Sequence, residues 1–246
     1  MLKNRRQSFD ERRDLFIAND QKGAIAYALE HWIHTAQRSI QQRGRFAVAL
    51  SGGSTPAAIY AALAKDTTLD WSKIYLFWSD ERAVPPDHPD SNYHMAMASF
   101  SKVPIPPTQI FRMHAESDIE RHAADYEEKI RHTLGHSSFD LVMLGLGEDG
   151  HTASLFPNTP ALAIEDKLVA PNHIPLLKTW RMTFTFPCIN QSTHIALYAL
   201  GAPKQKIVSQ VLEAAIQSPF PASRIGTPDH KALWVLDASA AAKVNF

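Results

Sequence analysis

Apolar positions in this chain follow two patterns. Between residues 20 and 43 they recur at helical spacing. Ile25, Leu29, Trp32, Ile33, Ala36 and Ile40 form one stripe, with Asp20 placed to cap its start and Gly44 to end it. Elsewhere they form short unbroken runs: 45–50 (RFAVAL), 74–79 (IYLFWS), 139–144 (FDLVML), 168–170, 181–186 (RMTFTF), 194–200 (HIALYAL) and 232–236 (ALWVL). Runs this short and continuous predict strands buried on both faces.

Further helices are expected after Pro56, from Ser91, over 118–133 and over 203–217. Thr55 is the expected N-cap of the first, with Pro56 at its first position. Six of the 16 prolines lie between 85 and 107, so that stretch is not a continuous helix. Residues 1–19 are expected to be a ragged start. Alternating helices and apolar strands predict an α/β fold: a mostly parallel sheet, helices on both faces, Rossmann-like and doubly wound. No linker divides the 246 residues, so a single domain over 1–246 is expected.

Composition narrows the function. The chain is 45% hydrophobic and 20% charged, with 25 Lys+Arg against 25 Asp+Glu. A neutral chain has no overall field for gripping nucleic acid, and no nucleic-acid partner is expected. The one cysteine, Cys188, excludes an internal disulfide and a cysteine-based zinc cage, and it reads as a small buried residue. No apolar stretch approaches the roughly 18 residues of a membrane span. The N-terminus is charged throughout and lacks the apolar middle of a signal peptide. A soluble, cytoplasmic protein with no membrane partner is expected, a monomer by default or a weak homo-oligomer.

Five of the ten glycines lie in two loops, each directly after a predicted strand: Gly52 and Gly53, then Gly145, Gly147 and Gly150. Ligands of open α/β sheets bind at the carboxyl ends of strands, so these loops and the segment Asp80-Glu81-Arg82 are expected on one rim. Glycines also serve simply as tight turns.

The first loop, Ser51-Gly52-Gly53-Ser54-Thr55 before a helix, has the chemistry of an anion site, with free amides and a helix dipole. It is not a Walker A loop, because no Gly-Lys-Ser/Thr follows, nor a nucleophile elbow, because Ala49 stands where the first glycine is needed. The second loop matches Gly-x-Gly-x-x-Gly. Only 151–156 is free to be helical before Pro157, which argues against a dinucleotide, and no cofactor is expected.

That second loop presents Asp149 and His151. Imidazole is the general base best matched to neutral pH, and Asp149 either polarises the site or makes the turn. No third ligand at a characteristic spacing suggests a metal. Arg82 is placed to contact a developing oxyanion or a substrate hydroxyl, or to pair with Asp80 or Glu81. Arg181 opens a strand. Lys204 opposes the dipole of the helix it begins; phosphate coordination is one reason for it to be there, and a solvated surface lysine is the alternative. Trp32, Trp71, Trp78 and Trp234 are expected in the core, and Trp180 on the rim.

SGGSTP (51–56), SDERAVPPDHPDSNYHMA (79–96), FDLVMLGLGEDGHTASLFP (139–157), the strand with Arg181, and Gly201-Ala-Pro-Lys204 resemble the 6-phosphogluconolactonase family, in order over about residues 20–240. The wider group includes glucosamine-6-phosphate deaminases. Those resemble this chain at Asp80 and in the Asp-Gly-His element, but carry Tyr where Arg82 stands and a catalytic Glu at the position of Phe156. The lactonase branch is therefore favoured. Two positions depart from the lactonase pattern: Asn158 for the usual Gly, and Thr179-Trp180 for a frequent Pro-Pro. Both bear on loop shape near Arg181.

The resemblance implies hydrolysis of 6-phospho-D-glucono-1,5-lactone, with His151 as base and Asp149 and Arg82 also catalytic. Substrate or phosphate contacts are expected from Gly52, Gly53, Ser54, Thr55, Asp80, Gly147, Arg181 and Lys204. A deaminase-like enzyme and a non-catalytic sugar-phosphate sensor are the alternatives.

Overall fold

The computed structural model describes residues 6–136 and 138–245. In chain order the elements are β1 (Arg6–Ser8), β2 (Arg13–Ala18), α1 (Gln21–Arg43), β3 (Phe46–Leu50), α2 (Ser54–Leu63), β4 (Ile74–Trp78), β5 (Asp80–Arg82), α3 (Asn92–Ser99), α4 (Ile119–Leu134), β6 (Leu141–Gly145), β7 (Val169–Ile174), β8 (Thr179–Phe184), α5 (Phe186–Asn190), β9 (Ile195–Ala199), α6 (Gln205–Glu213) and β10 (Ala232–Asp237).

The main sheet has seven strands in the order β1-β2-β10-β9-β6-β3-β4, all parallel except the β1 edge. Every residue of β3, β9 and β10 is buried. Successive side chains point to opposite faces, so unbroken burial means that both faces are covered, as the apolar runs predict. Helix α1 begins and ends as its sequence dictates. Asp20 accepts from the Gly23 amide at 2.7 Å, and Gly44 takes the left-handed conformation (φ 74°) with its amide on Ile40 O.

Four expectations need correction. The 1–19 segment is not ragged where it is described: 1–5 fall outside the described residues, but 6–18 hold β1 and the largely buried β2, paired with β10 from Arg13↔Ala232 to Ala18↔Asp237. Charge hid this strand. The Arg13 guanidinium is buried, pairs with Asp10, and donates to Val211 O and Leu212 O. Those same bonds take up the last carbonyls of α6, which ends at Glu213 and not at 217. The expected helix from 203 instead starts as a 3-10 turn over Ala202–Lys204.

The strands expected at 168–170 and 181–186 do not join the parallel sheet. They are β7 and β8 of a separate antiparallel sheet, β5-β8-β7. Only residues 175–178 separate them, which suits a hairpin and is too short for a parallel crossover. Finally, α2 starts at Ser54, two residues before the Pro56 start that a Thr55 cap would give, with Gly53 as N-cap at φ 103°.

The sheet order locates the rim. From β3 the chain leads through α2 to β4 on one side, and from β6 it runs on to β9 on the other. The adjacent strands β3 and β6 therefore flank a topological switch point, where the loops at their carboxyl ends diverge and leave a crevice. The two glycine loops are those loops.

Candidate active site

A cleft of about 600 Å³ opens at this switch point, lined by Gly52 and Gly53 of the first loop, Gly147, Asp149 and His151 of the second, and Asp80, Arg82, Arg181 and Lys204 among others, while Ser54 and Thr55 stand in the first turn of α2 just outside that lining. Ser79 ties its floor together. Its amide and hydroxyl donate to Leu50 O at the end of β3, its hydroxyl also to Met143 O in β6, and its carbonyl accepts from Phe184 of the second sheet.

The first loop is held from behind. The Tyr60 hydroxyl, fully buried in α2, accepts from the Ser51 amide and donates to the Ser51 carbonyl, both at 2.9 Å. Gly53 caps α2 without any side-chain hydrogen bond, so the first-turn amides are left for a ligand.

The second loop is a tight coil in which Gly147 N donates to His151 O at 2.8 Å and Gly150 N to Gly147 O at 3.1 Å. The segment after it is not helical, Thr152 bridging to Leu155 instead. His151 is fixed on several sides. Its Nδ1 lies 2.5 Å from Asp149 Oδ1, and its ring stacks on Phe156 with centroids 3.9 Å apart and planes at 21°. Gly147 passes so close that a Cβ there would sit 2.1 Å from Nδ1 and Cε1. Burial alone would raise the Asp149 pKa, but hydrogen bonds from the His151 ring and amide hold it below its ordinary value. An ionised Asp149 accepts from Nδ1–H, which leaves Nε2 of neutral His151 with its lone pair free.

Three cations face the cleft. Antiparallel pairing of β5 with β8 sets Arg82 opposite Arg181. Arg82 donates to the Asp90 carbonyl, and the ion pair weighed for it with Asp80 or Glu81 does not form. Burial, and then the Arg82 charge, lower the Arg181 pKa, and its buried Nε has no partner. Lys204 donates to Leu146 O at 2.8 Å, which uses one of its three protons and brings it to the second loop. None of the three is ion-paired among the described residues. Guanidiniums brought together without an ion-pair partner among the described residues suit a multiply charged anion, although the Asp80, Glu81 and Asp90 carboxylates lie near enough to act on Arg181.

Several residues here gave little warning in the sequence. Glu81 is buried and accepts from Ser91 Oγ and from the amides of Arg82, Asn92 and Tyr93, so it anchors the start of α3. Burial still raises its pKa against those four bonds. Asp80 accepts from Ser154 Oγ at 2.6 Å and from Asn92 Nδ2 at 3.1 Å. Asn92 gave no signal, because a polar residue at the first position of a helix is ordinary. Leu176 and Leu177, 85% and 47% exposed, line the cleft from the β7–β8 hairpin, whereas Trp180, expected on the rim, packs its ring edge-on against His173 and does not line the cleft. Asn158 takes φ 59°, a left-handed conformation that Gly adopts freely and Asn tolerates. Asn158 thus takes a conformation that the Gly of the lactonase pattern would also allow. Cys188 is buried with its thiol pKa pushed up, which suits packing and not nucleophilic attack. Among the described residues no cluster of three metal-ligating side chains occurs, and no helix is long and apolar enough to cross a membrane.

Residues 19–234 match the family model described as glucosamine-6-phosphate isomerases/6-phosphogluconolactonase. A 6-phosphogluconolactonase from Chlamydia muridarum is 43% identical, over 94% of this chain and 90% of its own. One from Nostoc sp. is 38% identical, over 93% and 97%. Among solved structures, the 6-phosphogluconolactonase of Trypanosoma brucei superposes with a TM-score of 0.82 at 27% identity, covering 94% of this chain and 98% of that one. That of Thermotoga maritima gives 0.80 at 28%, covering 91% and 98%.

Proposed function

The chain belongs to the glucosamine-6-phosphate isomerase/6-phosphogluconolactonase family, and we propose that it hydrolyses 6-phospho-D-glucono-1,5-lactone to 6-phosphogluconate with His151 as the base. The observation that carries this is the Asp149–His151 pair, with Nε2 left free, on the rim of a cleft holding three unpaired cations.

The phosphate sits on the amides of Gly52, Gly53, Ser54 and Thr55, its charge neutralised by Arg181 and Lys204. That binding energy positions the lactone carbonyl beside His151. His151 Nε2 takes one proton from a water as the water oxygen bonds to C1. Asp149 steadies the resulting imidazolium through Nδ1. Arg82 faces the oxyanion of the tetrahedral intermediate. The intermediate collapses by breaking the bond from C1 to the ring oxygen, which receives the proton back from His151. The new carboxylic acid then ionises to solvent. Water and lactone supply every atom of the product.

Phe156 separates this reading from the deaminase one. The ring stacked on His151 stands where the deaminases carry the Glu that serves ring opening, and a phenyl group transfers no proton.

The test is decay of the lactone, generated in place by glucose-6-phosphate dehydrogenase, against its spontaneous opening. His151→Ala is expected to lose about 10²–10⁴ in kcat with little change in KM. Wild-type turnover in that variant would remove His151 from the mechanism. No acceleration by the folded wild-type protein would overturn the hydrolase assignment, and ammonia release from glucosamine 6-phosphate would replace it with the deaminase.

A further inference from the structure

Asn92 is the first residue of α3, only 2% exposed, yet it lines the cleft. Its position is rigid. The backbone amide donates to Glu81 Oε1 at 2.8 Å. The side-chain Nδ2 donates to Asp80 O at 2.9 Å and to Asp80 Oδ1 at 3.1 Å. Two acceptors on that side fix the orientation of the amide, since a flipped group would set a carbonyl against a carboxylate. Oδ1 must therefore face away from Asp80, and it lies against Gly52, where a Cβ would sit 1.9 Å from it. Among the described residues Oδ1 accepts no hydrogen bond. A carbonyl held this firmly, on a nearly buried residue that lines the cleft beside Gly52, is an acceptor waiting for a donor.

The geometry points to Asn92 as a specificity-determining residue whose Oδ1 accepts a hydrogen bond from a hydroxyl of the sugar ring. Chemistry selects that partner. Phosphate oxygens and the product carboxylate are acceptors at neutral pH and would be repelled by Oδ1. The lactone carbonyl is also an acceptor. The ring hydroxyls are the donors this substrate offers. Asp80 then acts through Asn92: its carboxylate, engaged by Asn92 and Ser154, holds the amide in the one orientation that presents oxygen to the sugar. The SDER segment and the α3 start thus form one device. Glu81 anchors the backbone of Asn92, Asp80 anchors its side chain, and Gly52 leaves the room.

This inference rests on the lactonase reading, and its test separates the two. Wild-type protein is first assayed on the parent lactone, then on the 2-, 3- and 4-deoxy 6-phospholactones. One deoxy lactone is expected to lose about tenfold or more in kcat/KM. Asn92→Ala and Asn92→Ser, checked for folding by circular dichroism, are expected to lose a similar factor on the parent and less than about threefold further on that deoxy lactone. A variant that loses the same factor on every lactone makes Asn92 merely structural and overturns the proposal. If neither variant folds, the wild-type series decides, and the absence of any tenfold deoxy penalty overturns it. No turnover of the parent lactone is a failure of the hydrolase assignment. The hydroxyl contact is then judged by the same tenfold criterion from calorimetric binding of 6-phosphogluconate and its deoxy forms.

Discussion

Gly147→Ala adds one methyl group in the most constrained part of the site. Gly147 has no left-handed backbone conformation to protect, so Ala can adopt the same dihedrals and the effect is steric. The new Cβ would sit 2.1 Å from both Nδ1 and Cε1 of His151, whereas ordinary contact begins near 3.4 Å. The imidazole must retreat by about 1.3 Å, the difference between those two distances. The 2.5 Å bond from Nδ1 to Asp149 does not survive a shift of that size. Phe156 stacks at 3.9 Å on the ring and restricts where it can go. Displacement of a catalytic group by about 1 Å costs on the order of a hundredfold in rate. The expectation is thus a kcat about a hundredfold lower, with KM within a few-fold because the phosphate contacts are untouched. Overpacking costs roughly 1–3 kcal/mol of stability, which a melting curve would register without loss of the fold. The lactone-decay assay gives kcat and KM together. A folded Gly147→Ala protein with kcat within about threefold of wild type would refute the reasoning, since a displaced base would then be as good as a placed one.

Removing the cations should act on the other kinetic constant. Arg181→Ala and Lys204→Ala are each expected to raise KM by about tenfold or more with a smaller effect on kcat, and an unchanged KM in both would mean that the phosphate sits elsewhere. Stability should depend on pH through His31, which lies on α1 against His194 and is not among the residues that line the cleft. Burial, with the charges of His194, Arg6 and His34 adding, lowers its pKa from 6.5 to about 4. The unfolded chain therefore binds the proton first as pH falls. Stability is intact above about pH 6.5 and is lost between 6.5 and about 4, to a total of about 3 kcal/mol. Urea midpoints at pH 7 and pH 5 measure this. His31→Phe should flatten the dependence, and an unchanged slope in that variant would assign the acid sensitivity to other groups.

Much of this protein is legible in its sequence because the information is local. Helical period and caps bound α1 between Asp20 and Gly44. Continuous apolar runs mark the central strands, and glycines directly after two of them mark the loops that line the cleft, the second carrying the Asp149–His151 pair. The sequence also separates lactonase from deaminase through single positions, Arg82 and Phe156. What it leaves undecided is set by distant partners. A charged stretch conceals β2, because the partners of Arg13 lie about two hundred residues away, at Val211 and Leu212. The strand with Arg181 belongs to an antiparallel sheet, since β8 pairs with β5 and not with the parallel strands. The structural duty of Glu81 and the free acceptor on Asn92 exist only once β5 meets α3 and Gly52. Period, caps and turns depend on neighbours a few residues apart. Buried charges, cross-strand cation pairs and an aimed amide depend on which surfaces the fold brings together, and tertiary structure alone decides that.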